Sequence, residues 1–413
     1  MDQDGFRVYG YRWVVLLVFM LVVAVNQLLW ITFASITGDA ARYYGVSDLQ
    51  IGLLSLVFMA VYIVVSIPAS WAIDTYGLRI GVGIGAVLTG AFGLLRGALA
   101  SSYAGVLAAQ VGIAVGQPFI QNAVTTVAAR WFPARERATA AGLGSLAMYV
   151  GILMGLALTP VLALGLGMAR MLGVYGVISA AAALLFLALA RERPPSPPCP
   201  PGQDARSLVT EGLRQVLRNP SFQLLMVVFF IGLGAFNAVT TWIEAMLRPR
   251  GFTASQAGVA GAVMILAGIV GALVLPMLSD RARRRTPYLL LAVAGSALGL
   301  AAVALAPNYW LLLLASGVFG FSLLGSGPVG FQYGAELTFP APEGTSNGLL
   351  LWAGQISGIL FILGMDALKS PQDGSMTVPL GVLVALMFGG LALCTRLKEA
   401  SQAGSSGPTS QGR

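Results

Sequence analysis

Amide, hydroxyl and indole side chains recur at helical spacing inside long apolar stretches of the chain. These candidate solute-binding residues are Asn26, Trp30, Gln117, Gln121, Asn237, Thr241, Trp352 and Gln355. Polar side chains are costly at the centre of a bilayer and usually face the protein interior. Because aromatic faces attract organic cations and amide oxygens accept hydrogen bonds, the set predicts a site for a small polar solute such as a quaternary ammonium compound.

Helical spacing groups several of these residues on shared faces. Asn26 and Trp30 are four residues apart, as are Gln117 and Gln121, so each pair shares one face of a helix. Each residue also has a structural alternative. Trp30 fits an interfacial anchor near the outer third of its span, and Gln117 and Gln355 fit bridges between helices. We favour solute contact for all three.

Three charged residues near the outer ends of the apolar spans are candidate coupling or charge sites. They are Arg96, Glu244 and Asp366. For Glu244 we favour a solvated end-charge over a proton or cation site, and for Arg96 a side chain that reaches the interface over an anion clamp. Obligatory proton coupling usually needs a titratable group deep in the membrane. The first half has no acid at mid-depth, so facilitated diffusion is the leading expectation.

The composition is that of a membrane protein. Hydrophobic residues make up 57% of the 413 residues and charged residues 10%, and the mean hydropathy is +0.82. Soluble domains have roughly 45–50% apolar and 25% charged residues. Two cysteines and no histidine leave no evident metal-ligand set, and the sequence shows no nucleophile, base and metal combination. We therefore expect no metal, no cofactor and no enzymatic activity.

The net charge of +8 does not indicate nucleic-acid binding. The basic residues lie in short loops beside apolar spans, where they report topology. Most of the 24 Lys and Arg residues fall in loops on the side of the two termini. That bias predicts cytoplasmic termini in a multi-pass protein of the cell membrane. Its expected partners are lipid and a small-molecule solute, and we expect a monomer.

Twelve apolar windows have the length of about 20 residues that a membrane-spanning helix needs. Six lie near 13–36, 49–72, 79–100, 103–129, 138–163 and 168–190, and six near 221–247, 254–279, 287–306, 309–336, 345–367 and 375–396. The sequence therefore predicts an all-α membrane protein with six-helix bundles at 1–190 and 221–398. A Pro-rich linker with a short amphipathic helix is predicted at 191–220, and a disordered tail at 399–413.

Two landmarks recur at nearly one offset. Residues 132–136 (Phe-Pro-Ala-Arg-Glu) return 207 positions later as residues 339–343 (Phe-Pro-Ala-Pro-Glu), and Asp74 returns as Asp280. Such a duplication is typical of two-halved transporters that hold a solute between their halves. The repeated loops predict a cytoplasmic gate that latches the halves, with ordinary solvated turns as the alternative. The gate residues are Asp74, Arg79, Glu136, Arg137, Asp280, Arg281 and Glu343.

The loop around Asp74 resembles a known signature. Asp74, Gly77 and Arg79 are similar to the Gly-x-x-x-Asp-x-x-Gly-Arg loop of the major facilitator superfamily, with Ser70 and Pro276 in place of its leading glycine in the two halves. The resemblance covers nearly the whole chain through the twelve spans and the repeat. It implies alternating access between two pseudo-symmetric six-helix halves, around a cavity lined by spans 1, 4, 7 and 10.

Four further stretches resemble a narrower family. They are Asn-Gln-Leu-Leu-Trp at 26–30, Gln117, Gly-Ala-Phe-Asn at 234–237, and residues 336–350 followed by Gln355. They are similar to segments of the feline leukaemia virus subgroup C receptor family of choline and ethanolamine transporters. That resemblance implies that Trp30, Gln117 and Gln355 contribute to a choline site and that span 11 also lines the cavity. Asn237 stands where the family has an aromatic residue, and Trp242 is about one and a half turns away.

The expected function is secondary transport of a small cationic or zwitterionic solute of the choline type. The family also carries a haem-export assignment, so the resemblance leaves the solute open. The first alternative is the same fold carrying a small monocarboxylate-like anion, with or without proton coupling, and with Arg96 as its electrostatic element. The alternative of another class is a non-transporting receptor or sensor, which we would expect to carry a sizeable soluble module.

Overall fold

The computed structural model describes residues 8–196, 216–339 and 343–399, apart from the side chains of residues 134 and 343–345. Within these ranges the chain is all-α, and twelve helices are long and apolar enough to cross a membrane. The predicted number of spans is therefore confirmed. Most of the predicted linker helix and the tail beyond residue 399 lie outside the described residues.

The twelve spanning helices fall into two groups of six along the chain. In the N-terminal half they are α1 (Arg12–Ile31), α2 (Asp48–Tyr76), α3 (Leu78–Ala98), α4 (Tyr103–Gln121), α5 (Ala134–Leu166) and α6 (Met168–Leu189). In the C-terminal half they are α7 (Pro220–Thr241), α8 (Ala254–Ala282), α9 (Thr286–Leu305), α10 (Tyr309–Thr338), α11 (Glu343–Ala367) and α12 (Thr377–Cys394). Short helices at Thr37–Tyr44, Val124–Trp131 and Ile243–Leu247 continue spans 1, 4 and 7 after a break.

The same signals start corresponding helices in the two halves. Ser47 and Gln50 form a capping box at the start of α2, and Thr253 and Gln256 form one at the start of α8. Each box satisfies two backbone N–H groups that the first helical turn leaves without partners.

A second repeated cap lies at the third helix of each half. Glu192 accepts hydrogen bonds from the backbone N–H groups of Leu78 and Arg79 at 2.9 and 2.7 Å. Glu399 accepts them from Arg285 and Thr286 at 3.1 and 2.9 Å. Both carboxylates sit at a helix N-terminus, where the helix dipole favours negative charge. Their offset of 207 positions matches the sequence repeat.

Helix packing follows the same pseudo-symmetry. α1 packs on α5 and α3 on α6 in the first half, as α7 packs on α11 and α9 on α12 in the second. The halves meet along α5 with α8 and along α2 with α11, two pairings that an exchange of halves interconverts. At the α5–α8 seam a Cβ on Gly258 would lie 2.5 Å from the carbonyl oxygen of Leu156, so only glycine allows this approach.

The two faces of the molecule are named by the chain ends. The terminal face carries the start of α1, the end of α12 and the α2–α3 and α8–α9 loops. The distal face carries the α1–α2, α7–α8 and α11–α12 connections. Both described chain ends share one face because the number of spans is even.

Candidate functional site

A cavity of about 980 Å³ lies between the halves, with lining residues from both. Its lining extends from Trp30, near the end of α1, to Asp74, an exposed residue near the terminal end of α2. The cavity therefore reaches the terminal face. Its volume is at the upper end of ordinary small-molecule sites.

Six of the eight predicted solute-binding residues line this cavity. They are Trp30, Gln117, Gln121, Asn237, Trp352 and Gln355. Four helices contribute them, because α1, α4, α7 and α11 converge on one space, and α4 and α11 each supply two.

 A further helix, α2, completes the wall around the six residues with Phe58 and Tyr62.

Trp30 is held in place by the backbone of α2. Its indole N–H donates to the carbonyl oxygen of Ser55 at 3.2 Å, and the Ser55 hydroxyl donates back to the Trp30 carbonyl oxygen at 3.4 Å. The residue is 6% exposed and still lines the cavity. Because its one polar atom is already bonded, what Trp30 offers a solute is an aromatic surface.

Asn26 is not among the residues that line the cavity. Its amide nitrogen donates to Thr89 Oγ1 on α3 at 3.1 Å, so the side chain joins two helices of one half. The neighbouring Gln27 lines the cavity instead. Gln27 and Trp30 are three residues apart, and Asn26 and Trp30 four, which both fit one helix face. Sequence spacing alone did not separate them.

α7 supplies an aromatic residue that the sequence analysis missed. Phe236 lines the cavity beside Asn237, whose amide nitrogen donates to the Gly354 carbonyl oxygen of α11 at 3.3 Å. Trp242 is fully buried, and its indole N–H donates to the carbonyl oxygen of Ile362 at 3.1 Å. Thr241 is also buried, and it is not among the residues that line the cavity.

A second polar cluster lies nearer the terminal face. The Tyr62 hydroxyl donates to Asn122 Oδ1 at 2.9 Å, and the Asn122 amide nitrogen lies 3.0 Å from Ser66 Oγ and 2.9 Å from Ser70 Oγ. All four residues line the cavity. Asn122 follows the end of α4, where the helix breaks before Val124–Trp131. The break frees the side chain to cross to α2.

The charge on the described cavity lining is negative. Among the described residues that line it, Asp74 is acidic and none is lysine or arginine. The walls are otherwise aromatic, aliphatic, amide and hydroxyl. Such a surface favours a cation over an anion, because an anion would lose its hydration without gaining a positive partner.

Arg96 lies inside the N-terminal half, away from this lining. The residue is fully buried, and its guanidinium donates to the Leu29 carbonyl oxygen and to Gln110 Oε1, both at 3.0 Å. Thr32 Oγ1 lies 3.4 Å from its other terminal nitrogen. The expectation that Arg96 reaches the interface is therefore wrong. It bonds the carbonyl end of α1, where positive charge is favourable, and it is not among the residues that line the cavity.

Glu244 is also buried, at 5% exposure, so the expected solvated end-charge is wrong. Its carboxylate accepts from the Gly38 backbone N–H at 3.0 Å and lies 3.5 Å from Arg248 Nη1. Arg248 Nη2 bonds Asp48 Oδ2 at 2.5 Å, and Lys369 bonds the same oxygen. These five residues join the two halves at the distal face, and we call them the distal lock.

The lock is compact and largely screened from solvent. The Asp48 side chain is 13% exposed, and a Cβ on Gly38 would overlap the Arg248 guanidinium. Burial alone would lower the pKa of Arg248, but the hydrogen bond to Asp48 and the charge of Glu244 outweigh it and raise that pKa above its usual value. Asp366 lies one turn before Lys369 on the distal side, half-buried and outside the cavity lining.

Four contacts of the predicted gate residues lie within single halves. Glu136 pairs with Arg12 at 3.1 Å, and Arg285 pairs with Asp280. Arg79 donates to the Leu187 carbonyl oxygen, and Arg137 to that of Phe132, both at 3.3 Å. Arg281 is exposed, and the side chain of Glu343 lies outside the described residues. The cytoplasmic latch stays a prediction.

Comparison with known proteins identifies the fold family. Residues 10–362 match the model of the Major Facilitator Superfamily. The chain belongs to the major facilitator superfamily. A bacterial homologue of the human lysosomal transporter Spinster, in an inward-facing and unoccupied conformation, superposes on this member with a TM-score of 0.72 at 18% identity, covering 94% of this chain and 96% of that one.

Two relatives of this superfamily member are similar over most of their length. Solute carrier family 49 member A3 of Xenopus tropicalis is 34% identical over 403 residues, which is 92% of this chain and 83% of the relative. The choline/ethanolamine transporter FLVCR1 of Felis catus is 32% identical over 418 residues, or 94% and 73%. The resemblance inferred from the sequence motifs is therefore confirmed, and the chain is a multi-pass secondary transporter of the superfamily.

Proposed function

We propose that this transporter carries a small organic cation of the choline type by facilitated diffusion. The observation that carries the proposal is the cavity itself: aromatic surfaces on α1, α2, α7 and α11 surround amide groups, with one carboxylate and no basic side chain among the described lining residues. Cation–π attraction to such surfaces contributes about 0.5–2 kcal/mol per contact. The similarity to a choline/ethanolamine transporter supports the same class of solute.

The distal lock supports an alternating-access cycle. It joins the halves at the distal face while the cavity reaches the terminal face. If the bias of basic residues places the terminal face in the cytoplasm of a cell-membrane protein, the conformation is open to the inside. The solute would then leave to the cytoplasm, and the lock must open to admit the next one from outside.

The charged residues support transport without obligatory proton coupling. Glu244, the carboxylate nearest to the end of α7, bonds the opposite half and lies outside the cavity lining. Arg96, the charge on which an anion carrier would depend, bonds helix carbonyl groups within one half. We therefore expect the membrane potential alone to set the distribution of a cationic solute.

Uptake of labelled choline into proteoliposomes under an imposed potassium potential tests the proposal. Moving one charge through 100 mV corresponds to about 2.3 kcal/mol, or about 45-fold accumulation at an interior potential of −100 mV. We expect that accumulation to respond to potential and to be unchanged by a pH gradient of either sign. A monocarboxylate that accumulates while choline does not would contradict the proposal and favour the anion carrier.

A further inference from the structure

Gln27 is a buried residue in the cavity wall whose amide nitrogen has no hydrogen-bond partner among the described residues. The residue is 2% exposed and lines the cavity, yet its amide nitrogen makes no hydrogen bond within the described structure. A buried donor without an acceptor is destabilising, because it has lost its hydrogen bonds to water. The amide nitrogen of the adjacent Asn26, by contrast, donates to Thr89 Oγ1 at 3.1 Å.

The position of Gln27 relates it to the aromatic surface of Trp30. The two residues are three apart on α1, so they are neighbours on one face, and Gln27 lies on the side of the terminal face. Trp30 has used its N–H on Ser55, so it offers aromatic surface and no hydrogen bond. Within one helical turn, the cavity wall therefore presents the aromatic ring of Trp30, which can bind a cation, and the amide of Gln27, which can donate a hydrogen bond.

We propose that Gln27 is a specificity-determining residue, which donates a hydrogen bond to an oxygen of the solute about two carbons from its cationic centre. The inference rests on the proposed function, because it assumes that a cation sits against Trp30. The last torsion of a glutamine side chain is soft, so the amide can turn its nitrogen to the solute at little cost. The bond removes the penalty of the unsatisfied donor only for solutes that carry the oxygen.

Two ligands isolate this contact. Choline carries the hydroxyl, and ethyltrimethylammonium is the same cation without it. The dissociation constants of both are measured on purified wild type, Gln27→Met, Gln27→Leu and the control Asn26→Leu. Methionine matches the unbranched shape of glutamine without a donor, and Asn26→Leu removes a neighbouring amide that lies outside the cavity lining. The ratio of the two constants is compared within each variant, so a general loss of folded protein does not change it.

We expect wild type to bind choline at least tenfold more tightly than ethyltrimethylammonium, and Gln27→Met and Gln27→Leu to reduce that preference about tenfold. Asn26→Leu should keep the wild-type ratio. A wild type without preference, or Gln27 variants that keep it, would overturn the inference and leave the cation site standing. If wild type binds neither ligand, the proposed function itself fails, which is a different pattern.

Discussion

The cavity and the distal lock use the same kinds of polar side chain in opposite ways. In the lock, Asp48, Glu244 and Arg248 bond to one another or to the opposite half. In the cavity, Trp30 offers its ring, and Gln27 keeps an amide nitrogen without a partner. Paired groups stabilise one arrangement of the halves, whereas unpaired groups are available to a solute.

This difference corresponds to two functions of a carrier, which are solute binding and control of its conformation. A group that binds solute must be free when the cavity is empty, and a group that sets the conformation must find its partner in the protein. Substitutions in the lock should therefore shift the balance between conformations, and substitutions in the cavity should change solute affinity. The predictions below test that division.

The largest shift is expected from Asp48→Asn. The substitution leaves Arg248 and Lys369 close together without the carboxylate that both contact. Truncating one partner of a buried charge pair costs 2–5 kcal/mol or more. Because these groups are partly exposed, we expect about 2 kcal/mol, or roughly a 30-fold shift toward a form open at the distal face.

Electron–electron distances between spin labels measure this shift. Labels at Tyr43→Cys and Gln372→Cys, both exposed at the distal face on opposite halves, should move apart in Asp48→Asn when Cys199 and Cys394 are replaced. The control is Glu336→Gln, because Glu336 pairs with Arg285 within the C-terminal half, at the opposite face. If both variants give the same distance distribution as the parent, the lock does not hold the halves together.

A smaller shift in the same direction is expected from Gly38→Ala. The added methyl would overlap the Arg248 guanidinium, so that side chain must move away from the lock. We expect about 1 kcal/mol, or roughly a fivefold shift in the same distance measurement. Gly165→Ala is the matched control, since a Cβ there has nothing within 4 Å. If Gly38→Ala gives the same distance distribution as this control, Arg248 accommodates the methyl group without leaving the lock.

The sequence was sufficient for the spans because hydrophobic length is a local property. It predicted span 8 near 254–279, and the helix is Ala254–Ala282. It was insufficient where a partner comes from a remote part of the chain. Arg96 bonds Leu29 across 67 positions, and Glu244 bonds Gly38 across 206. Sequence reasoning therefore placed Arg96 at the membrane interface and Glu244 in water, and the structure buries both.

The cavity residues show what helical spacing can and cannot predict. Helical spacing placed Trp30 and Gln117 near the solute site, and the structure places them in the cavity lining. Helical spacing did not distinguish Asn26 from Gln27, because the difference depends on a contact with another helix. Asn26 bonds Thr89 of α3, and Gln27 lines the cavity. The repeated caps at Glu192 and Glu399 were missed as well, although the offset of 207 positions found in the loops would have exposed them.

The most direct test of the cation site is the affinity of the purified protein for choline when Trp30 is replaced. Its reference ligand is 3,3-dimethylbutanol, which has the shape of choline without the charge. We expect the affinity for choline to fall from wild type to Trp30→Phe and again to Trp30→Leu. The total loss of affinity in Trp30→Leu should be about 3- to 30-fold. The neutral ligand should change little, and Trp310→Leu, at a residue 78% exposed, should bind as wild type. Equal losses for both ligands, or none for choline, would contradict a cation held against Trp30.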